Sequence, residues 1–312
     1  MKYRNFYGKD ASVIALGCDS FGTTRDLYQS SEFIERYVFA GGNFFDTARV
    51  YGGEAGRSEK YLGAWLSSRP DRDRFIIGTK GGHPEFHSMH TGRLDRESLT
   101  FDFENSVENL GTYIDVYWLH RDDTSRPVGD ILETLNGFIE SGKARFIGVS
   151  NWKPWRIKEA NEYAAAHSLT GFCANQPQFS LAQKHFSGDD TLEYMDHAAY
   201  EFHKMTGMPC VPYSPQAKGY FSKYEKGGAA ALGERLRREF LSSENDAIHG
   251  RLTALSRESG YTASQLSLSY LLAQPFDVYP IIGASSFDQL DESLACADID
   301  IDRKALLSLR DL

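Results

Sequence analysis

Three short apolar runs in this chain end on a polar side chain capable of acid–base chemistry. Phe44-Phe45-Asp46 finishes on a carboxylate, Ile76-Ile77-Gly78-Thr79-Lys80 on an ammonium, and Val116-Tyr117-Trp118-Leu119-His120 on an imidazole. Tyr51 follows Asp46 by five residues, in the loop before the helix that starts near Ser58. A free phenol, with a pKa of about 10, is a weak acid at neutral pH. An ammonium beside it favours phenolate, and a carboxylate holds that ammonium in place. Such a phenol can protonate a carbonyl oxygen as hydride reaches carbon, while an imidazole fixes the oxygen's position. Each residue alone has an ordinary reading, a turn aspartate or a core tyrosine. Their recurrence at successive strand ends favours one site: Asp46, Tyr51, Lys80 and His120 are the candidate catalytic residues.

Bringing these ends together is the task of the surrounding pattern. Short apolar runs lie at 13–18, 43–46, 74–80, 114–120, 145–150, 172–176, 210–214 and 278–283. Helix-length segments separate them at 31–40, 58–66, 100–110, 128–141, 154–167 and 191–204. Gly41-Gly42 and Gly142 are helix stops, and Ser58 with Glu59 reads as a helix start. This alternation predicts parallel strands joined by right-handed crossovers, and eight such units close into a barrel whose strand ends converge. The expected fold is therefore α/β, a (β/α)8 TIM barrel forming a single domain over 1–312. Residues 1–13 read as a short N-terminal hairpin around Gly8-Lys9-Asp10. Longer insertions at 81–95 and 215–243 fall on the C-terminal face, where barrel active sites are built.

Composition narrows the partners. With a formal net charge of -9 and no Lys/Arg run, nucleic acid is not expected. No stretch approaches the ~18 apolar residues of a membrane span, and residues 1–10 show no signal-peptide core. A cytoplasmic protein with no membrane partner is expected. The widely spaced Cys18, Cys173, Cys210 and Cys296 read as structural thiols of a reducing compartment. No Gly-x-Gly-x-x-Gly follows the first strand, which argues against a Rossmann domain. Gly137-Phe-Ile-Glu-Ser-Gly142-Lys143-Ala144 nearly spells a phosphate-binding loop, but its order is helix then strand, so it reads as a helix end. His83, His87 and His90 read as the rim of a substrate pocket, and no metal is expected.

The motifs together resemble the aldo-keto reductase family over nearly the whole chain. Asn43-Phe44-Phe45-Asp46-Thr47-Ala48, Tyr51-Gly52, Ser58-Glu59 and Leu62-Gly63 are similar to its first signature. Lys80 and His120 match its catalytic lysine and histidine. The resemblance implies a TIM barrel and nicotinamide-dependent reduction of a small carbonyl compound, or oxidation of an alcohol, sugar or polyol. It implies that Ser150, Asn151 and Gln176 hold the carboxamide, with Gly17 and Asp46 beside the cofactor. Tyr213 would stack on the nicotinamide, followed by Ser214, Pro215, Gln216 and Gly219. Gly283, Ser285, Gln289 and Glu292 would form the adenosine end at a helix N-terminus. Asp19, Tyr51, His120, Arg121 and Trp152 would line the substrate.

Two departures bear on the cofactor. Ser293 stands where many members have Asn, and Ser285, Ser286 and Gln289 replace the cations that hold a 2′-phosphate in the best-known members. Lys223, Arg235 or Arg238 are the cations left to do so; NADP(H) is favoured and NAD(H) is the alternative. The long segment after Tyr213 places the chain nearer the bacterial and potassium-channel β-subunit-like members. A competing reading is therefore a cofactor-binding regulatory subunit with little turnover. A third reading is a metal-dependent isomerase or hydrolase on another barrel. Substrate, reaction direction and oligomeric state are left open by the sequence.

Overall fold

The computed structural model describes residues 1–186 and 188–310. The chain divides into two compact units, one of residues 15–176 and one made of 1–14 with 177–312.

The chain opens on β1 (Tyr3–Phe6) and β2 (Lys9–Ser12), an antiparallel hairpin pairing Tyr3 with Ser12. Its turn is Tyr7-Gly8, earlier than the expected Gly8-Lys9-Asp10, because both residues take the positive φ (48° and 88°) that a tight hairpin turn demands. Arg4 Nη2 donates to the Leu272 carbonyl at 2.8 Å, and the Tyr279 hydroxyl donates to Asn5 O at 3.2 Å. These bonds tie the hairpin to the C-terminal part of its own unit.

The contiguous unit holds β3 (Ala15–Gly17), α1 (Leu27–Phe39), β4 (Phe44–Asp46), α2 (Arg57–Ser67), β5 (Ile76–Gly81), α3 (Arg96–Leu110), β6 (Ile114–Leu119), α4 (Val128–Glu140), β7 (Ala144–Ser150), α5 (Pro154–Ala166) and β8 (Asn175–Gln176). Its strands are all parallel and neighbour one another in chain order. In register, Gly17 lies beside Asp46, Asp46 beside Gly78, Lys80 beside Trp118, Trp118 beside Gly148, and Ser150 beside Gln176. Side chains alternate faces along a strand, so Gly78 and Lys80 share a face, as do Gly148 and Ser150. A Cβ at Gly78 would fall 2.7 Å from Trp118 Nε1, and one at Gly148 would overlap the indole ring. The two glycines thus leave the space that the fully buried Trp118 fills.

Helix ends follow local chemistry. Asp26 and Gln29 form a capping box before α1, and Asp95 caps α3 by accepting from Ser98 N at 2.8 Å. Gly142 has φ 73° just past α4, so the loop-like 137–144 segment is a helix end running into β7. Ser58 is not the cap expected of it. Gly56, with φ 81°, precedes α2, and the Ser58 hydroxyl instead donates to Cys18 O at 2.7 Å and pairs with Thr47 Oγ1 at 2.8 Å.

The other unit continues with α6 (His197–Thr206), α7 (Tyr220–Gly227), α8 (Glu234–Phe240), α9 (Ser243–Ser259), α10 (Ala263–Leu272), β9 (Ile281–Ile282), α11 (Phe287–Ala295) and α12 (Arg303–Leu307). The helix expected at 191–204 starts later, since Asp196 caps α6 and Met195 N is already bound to Gln178 O at 2.8 Å. Parallel bridges join Gln178 to Tyr213 and Cys210 to Val278. The insertion at 215–243 is folded into α7, α8 and two 3-10 turns. Phe179, Tyr220, Phe240, Leu252, Leu266, Tyr270 and Val278 form this unit's core. Among the described residues no helix is long and apolar enough to cross a membrane.

Candidate active site

Asp46 ends β4, Lys80 lies near the end of β5, His120 follows β6, and Ser150 ends β7, so parallel pairing delivers all four to one edge of the sheet. Lys80 is 1% exposed and its ammonium donates to Asp46 Oδ2 at 2.5 Å and to Thr47 O at 2.8 Å. The second carboxylate oxygen of Asp46 accepts from Gln176 Nε2 at 2.9 Å. Ser150 Oγ donates to Gln176 O at 2.8 Å, and Asn151 Nδ2 reaches Ser150 Oγ at 3.0 Å and His120 O at 3.1 Å. Asn151 holds φ 60°, an allowed but uncommon conformation for Asn that turns the chain sharply after β7.

Tyr51 is half-buried on the loop after β4, its ring centre 4.9 Å from Lys80 Nζ and edge-on to His120 with centroids 5.7 Å apart. The two titrating rings are driven to their neutral forms. Burial lowers His120 well below its ordinary value, helped by the charges of Lys80 and Arg121 and by His83. Burial raises Tyr51 above 10 against the pull of Lys80. The free protein therefore holds a protonated phenol, where sequence reasoning alone weighted the ammonium and pointed toward phenolate. Burial also opposes the charge on Lys80, but Asp46 and Tyr51 together outweigh it and keep the amine protonated. His120 Nδ1 is buried without a hydrogen-bond partner.

Around this set, Trp152 and Arg121 are buried, with Trp152 Nε1 donating to Arg121 O at 3.3 Å and Arg121 Nη1 to His120 O at 2.9 Å. Asp19 is exposed. His83 is buried with its ring 4.7 Å from that of His120, whereas His90 and the exposed Phe86 lie further along the same loop. The described residues contain no group of three or more His, Cys, Asp or Glu placed to hold a metal.

Sequence reasoning missed the support beneath these loops. Asp102, 1% exposed on α3, accepts from Gly82 N at 2.9 Å and from both Nη atoms of Arg93 at 2.9 and 3.1 Å. Arg49 Nη1 lies 3.2 Å from the same carboxylate. One side chain thus anchors the loop after Lys80 and the loop that carries Tyr51. Its signal was legible: Asp102 sits among Leu99, Phe103, Ser106 and Leu110 on the buried face of α3. Glu59, equally hidden in α2, accepts from Thr79 Oγ1 at 2.5 Å and Asn109 Nδ2 at 3.0 Å.

The expected adenosine-end residues lie in the other unit. Tyr213 N donates to Pro177 O at 3.2 Å, and Ser214 has φ 51°. Gln216 Nε2 donates to Ser264 Oγ at 2.6 Å and Ser293 Oγ at 3.3 Å, and Glu292 accepts from Thr262 Oγ1 at 2.6 Å. Ser286 caps α11, with Ser285 N bonded to Gln289 Oε1 at 2.9 Å. Gly219, with φ 77°, precedes α7, and the exposed Lys223 donates to Lys218 O. Arg235 is taken by Glu239 at 2.7 Å, and Arg238 stacks over Phe186. All four cysteines are buried, and burial pushes each thiol up.

The aldo/keto reductase family model matches residues 13–311, and the chain belongs to that family. It is similar to norsolorinic acid reductase stcV of Emericella nidulans, 28% identical over 97% of this chain and 79% of the relative. It is also similar to versiconal hemiacetal acetate reductase of Aspergillus parasiticus, 28% identical over 94% of this chain and 90% of that one. Among solved structures, the thermostable aldo-keto reductase Tm1743, crystallised with the inhibitor epalrestat, superimposes with a TM-score of 0.74 at 22% identity, covering 99% of this chain and 98% of that one. That likeness shows the fold, the (β/α)8 barrel class with an added N-terminal hairpin. The chain is thus an NAD(P)-dependent oxidoreductase of the aldo-keto reductase family.

Proposed function

We propose that the protein reduces a small aldehyde or ketone with NADP(H), NAD(H) being the alternative, and that Tyr51 is the general acid. The observation that carries this reading is the buried Asp46–Lys80 ion pair held 4.9 Å from the Tyr51 ring, with neutral His120 edge-on to the same ring. Ser150, Asn151 and Gln176 offer neutral hydroxyl and amide groups in a row, a donor set suited to a neutral carboxamide and not to a metal ion or a phosphate. They would hold the nicotinamide, which supplies hydride when bound. Lys80 stays cationic and favours the developing phenolate as Tyr51 gives up its proton to the carbonyl oxygen. Because burial keeps His120 neutral, it can donate a hydrogen bond to that oxygen without adding a second buried charge beside Lys80. Trp152, Arg121 and His83 would shape the pocket; Asp19, being exposed, would act only at its rim. Lys223 and Arg238 are exposed cations that could meet a 2′-phosphate, whereas Arg235 is already neutralised.

Tyr51→Phe tests the assignment, because it removes the hydroxyl and keeps the ring. A panel of aldehydes, ketones, sugars and polyols with NADPH and NADH first identifies a turned-over substrate. The variant should then lose ~10²–10⁴ in kcat while cofactor affinity holds. Retention of most of the parent's activity would remove Tyr51 from the role.

A further inference from the structure

Arg310 is buried to 8% exposure, yet among the described residues its guanidinium makes a single hydrogen bond, from Nη1 to the Ser180 carbonyl at 3.0 Å. Its Nε is buried without a hydrogen-bond partner, and no carboxylate of a described residue lies within ion-pair distance. Isolated buried cations are rare, because the low-dielectric interior leaves their charge unscreened, and they are normally paired. Arg310 also lines a cavity of ≈ 260 Å³ with Lys184, Gln178, Ser180, Met195 and His197. Water's share of liquid volume is about 30 Å³, so the space admits a polyatomic ion with part of its hydration.

A second cation faces this cavity. Lys184, also 8% exposed, donates to Gln178 Oε1 at 3.1 Å and has Glu239 3.7 Å away. Lys184 is therefore partly neutralised, whereas Arg310 has no carboxylate beside it among the described residues. Asp196 at the rim opposes an anion, but it is exposed and its carboxylate already accepts the Ala199 amide at 2.8 Å as the cap of α6. Every one of these residues belongs to the unit of residues 1–14 and 177–312, and none is in the acid–base set described above.

The geometry points to a binding site for a small oxyanion, a phosphate or a carboxylate, held between Arg310 and Lys184. A planar guanidinium with unspent donors matches two oxygens of either group, and the ammonium acts as a point charge at the second edge. Such a ligand would bind independently of the nicotinamide and of the carbonyl substrate.

Isothermal titration of the full chain, with and without saturating NADP, tests this with inorganic phosphate and with acetate as probes at constant ionic strength set by chloride. Saturable binding of either probe is expected in both conditions, and Arg310→Gln should weaken it about tenfold or more while Arg310→Lys retains part of it. Phosphate binding without acetate, or the reverse, identifies which oxyanion the site takes. Circular dichroism checks that Arg310→Gln is folded; if it is not, Lys184→Gln carries the same comparison. No saturable binding of either probe by the parent, or unchanged affinity in the folded variant, overturns the proposal.

Discussion

Replacing Asp46 by Asn is the sharpest test of how the candidate site is held. The carboxylate uses both oxygens on donors, Oδ2 on Lys80 at 2.5 Å and Oδ1 on Gln176 at 2.9 Å. An amide of the same shape offers one acceptor and one donor, so either Lys80 or Gln176 must face an N–H. Lys80 is 1% exposed and, among the described residues, no other carboxylate is paired with it; the Thr47 carbonyl also accepts from it at 2.8 Å. Removing one partner of a buried ion pair typically costs about 3–5 kcal/mol. That is a large share of the ~5–15 kcal/mol by which a domain is stable. The variant escapes part of this loss if Lys80 sheds its proton, which shifts the cost from stability to catalysis. A neutral amine no longer favours phenolate at Tyr51, so the rate should fall by ~10² or more. Urea unfolding and NADPH-dependent turnover, each followed against pH, would separate the two routes. A variant within about 1 kcal/mol of the parent and within a few-fold of its rate would refute the claim that Asp46 holds Lys80 charged.

Two further outcomes follow from other buried groups. Asp102→Asn leaves Arg49 and Arg93 facing a neutral amide, and should cost about 3 kcal/mol in urea unfolding while raising KM for the carbonyl more than the Kd for the cofactor; an unchanged KM would mean that the loop after Lys80 is held without it. His203, with Nδ1 donating to Met208 O at 2.8 Å, is lowered by burial from 6.5 to about 4. Between those values the unfolded chain binds a proton that the folded chain refuses, so stability falls with pH from 6.5 to about 4 by up to about 3 kcal/mol. His203→Gln should flatten that part of the Tm-against-pH curve, and an equally steep curve in the variant would assign the loss to other groups.

The strand ends were legible because a carboxylate, an amine and an imidazole close off apolar runs, and parallel pairing turns that spacing into proximity. Gly17, Asp46 and Gly78 fall side by side in register, and Lys80 sits beside Trp118, two residues before His120. What sequence alone could not supply was the balance of opposing effects. The spacing of Tyr51 and Lys80 suggested a lowered phenol pKa, but burial outweighs the ammonium. The helix begins within a residue of Ser58, but Ser58 does not cap it, because the residue chemistry of a cap is also that of a buried hydroxyl bonded to Cys18 O. Asp102 went unread for the opposite reason: an acidic residue in a helix is usually solvated, as its neighbour Glu104 is, and only its position among Leu99 and Phe103 betrays that it is hidden. In the segments after Tyr213, α9 and α10 were not anticipated, since weak amphipathicity and many small polar residues leave little periodic signal.

The way the chain is divided bears on its birth. Residues 15–176 are one uninterrupted stretch that already contains Asp46, Tyr51, Lys80, His120, Ser150 and Gln176. The other unit is sewn from both ends, and the N-terminal hairpin hydrogen-bonds to Leu272, Val278 and Tyr279. During synthesis, which proceeds from the N-terminus and lets folding units form as they emerge, the candidate proton-transfer residues are all outside the ribosome before Leu272, Val278 and Tyr279 are made. The first strands made thus wait for hydrogen-bond partners that emerge more than 250 residues later, after the whole contiguous unit has left the ribosome.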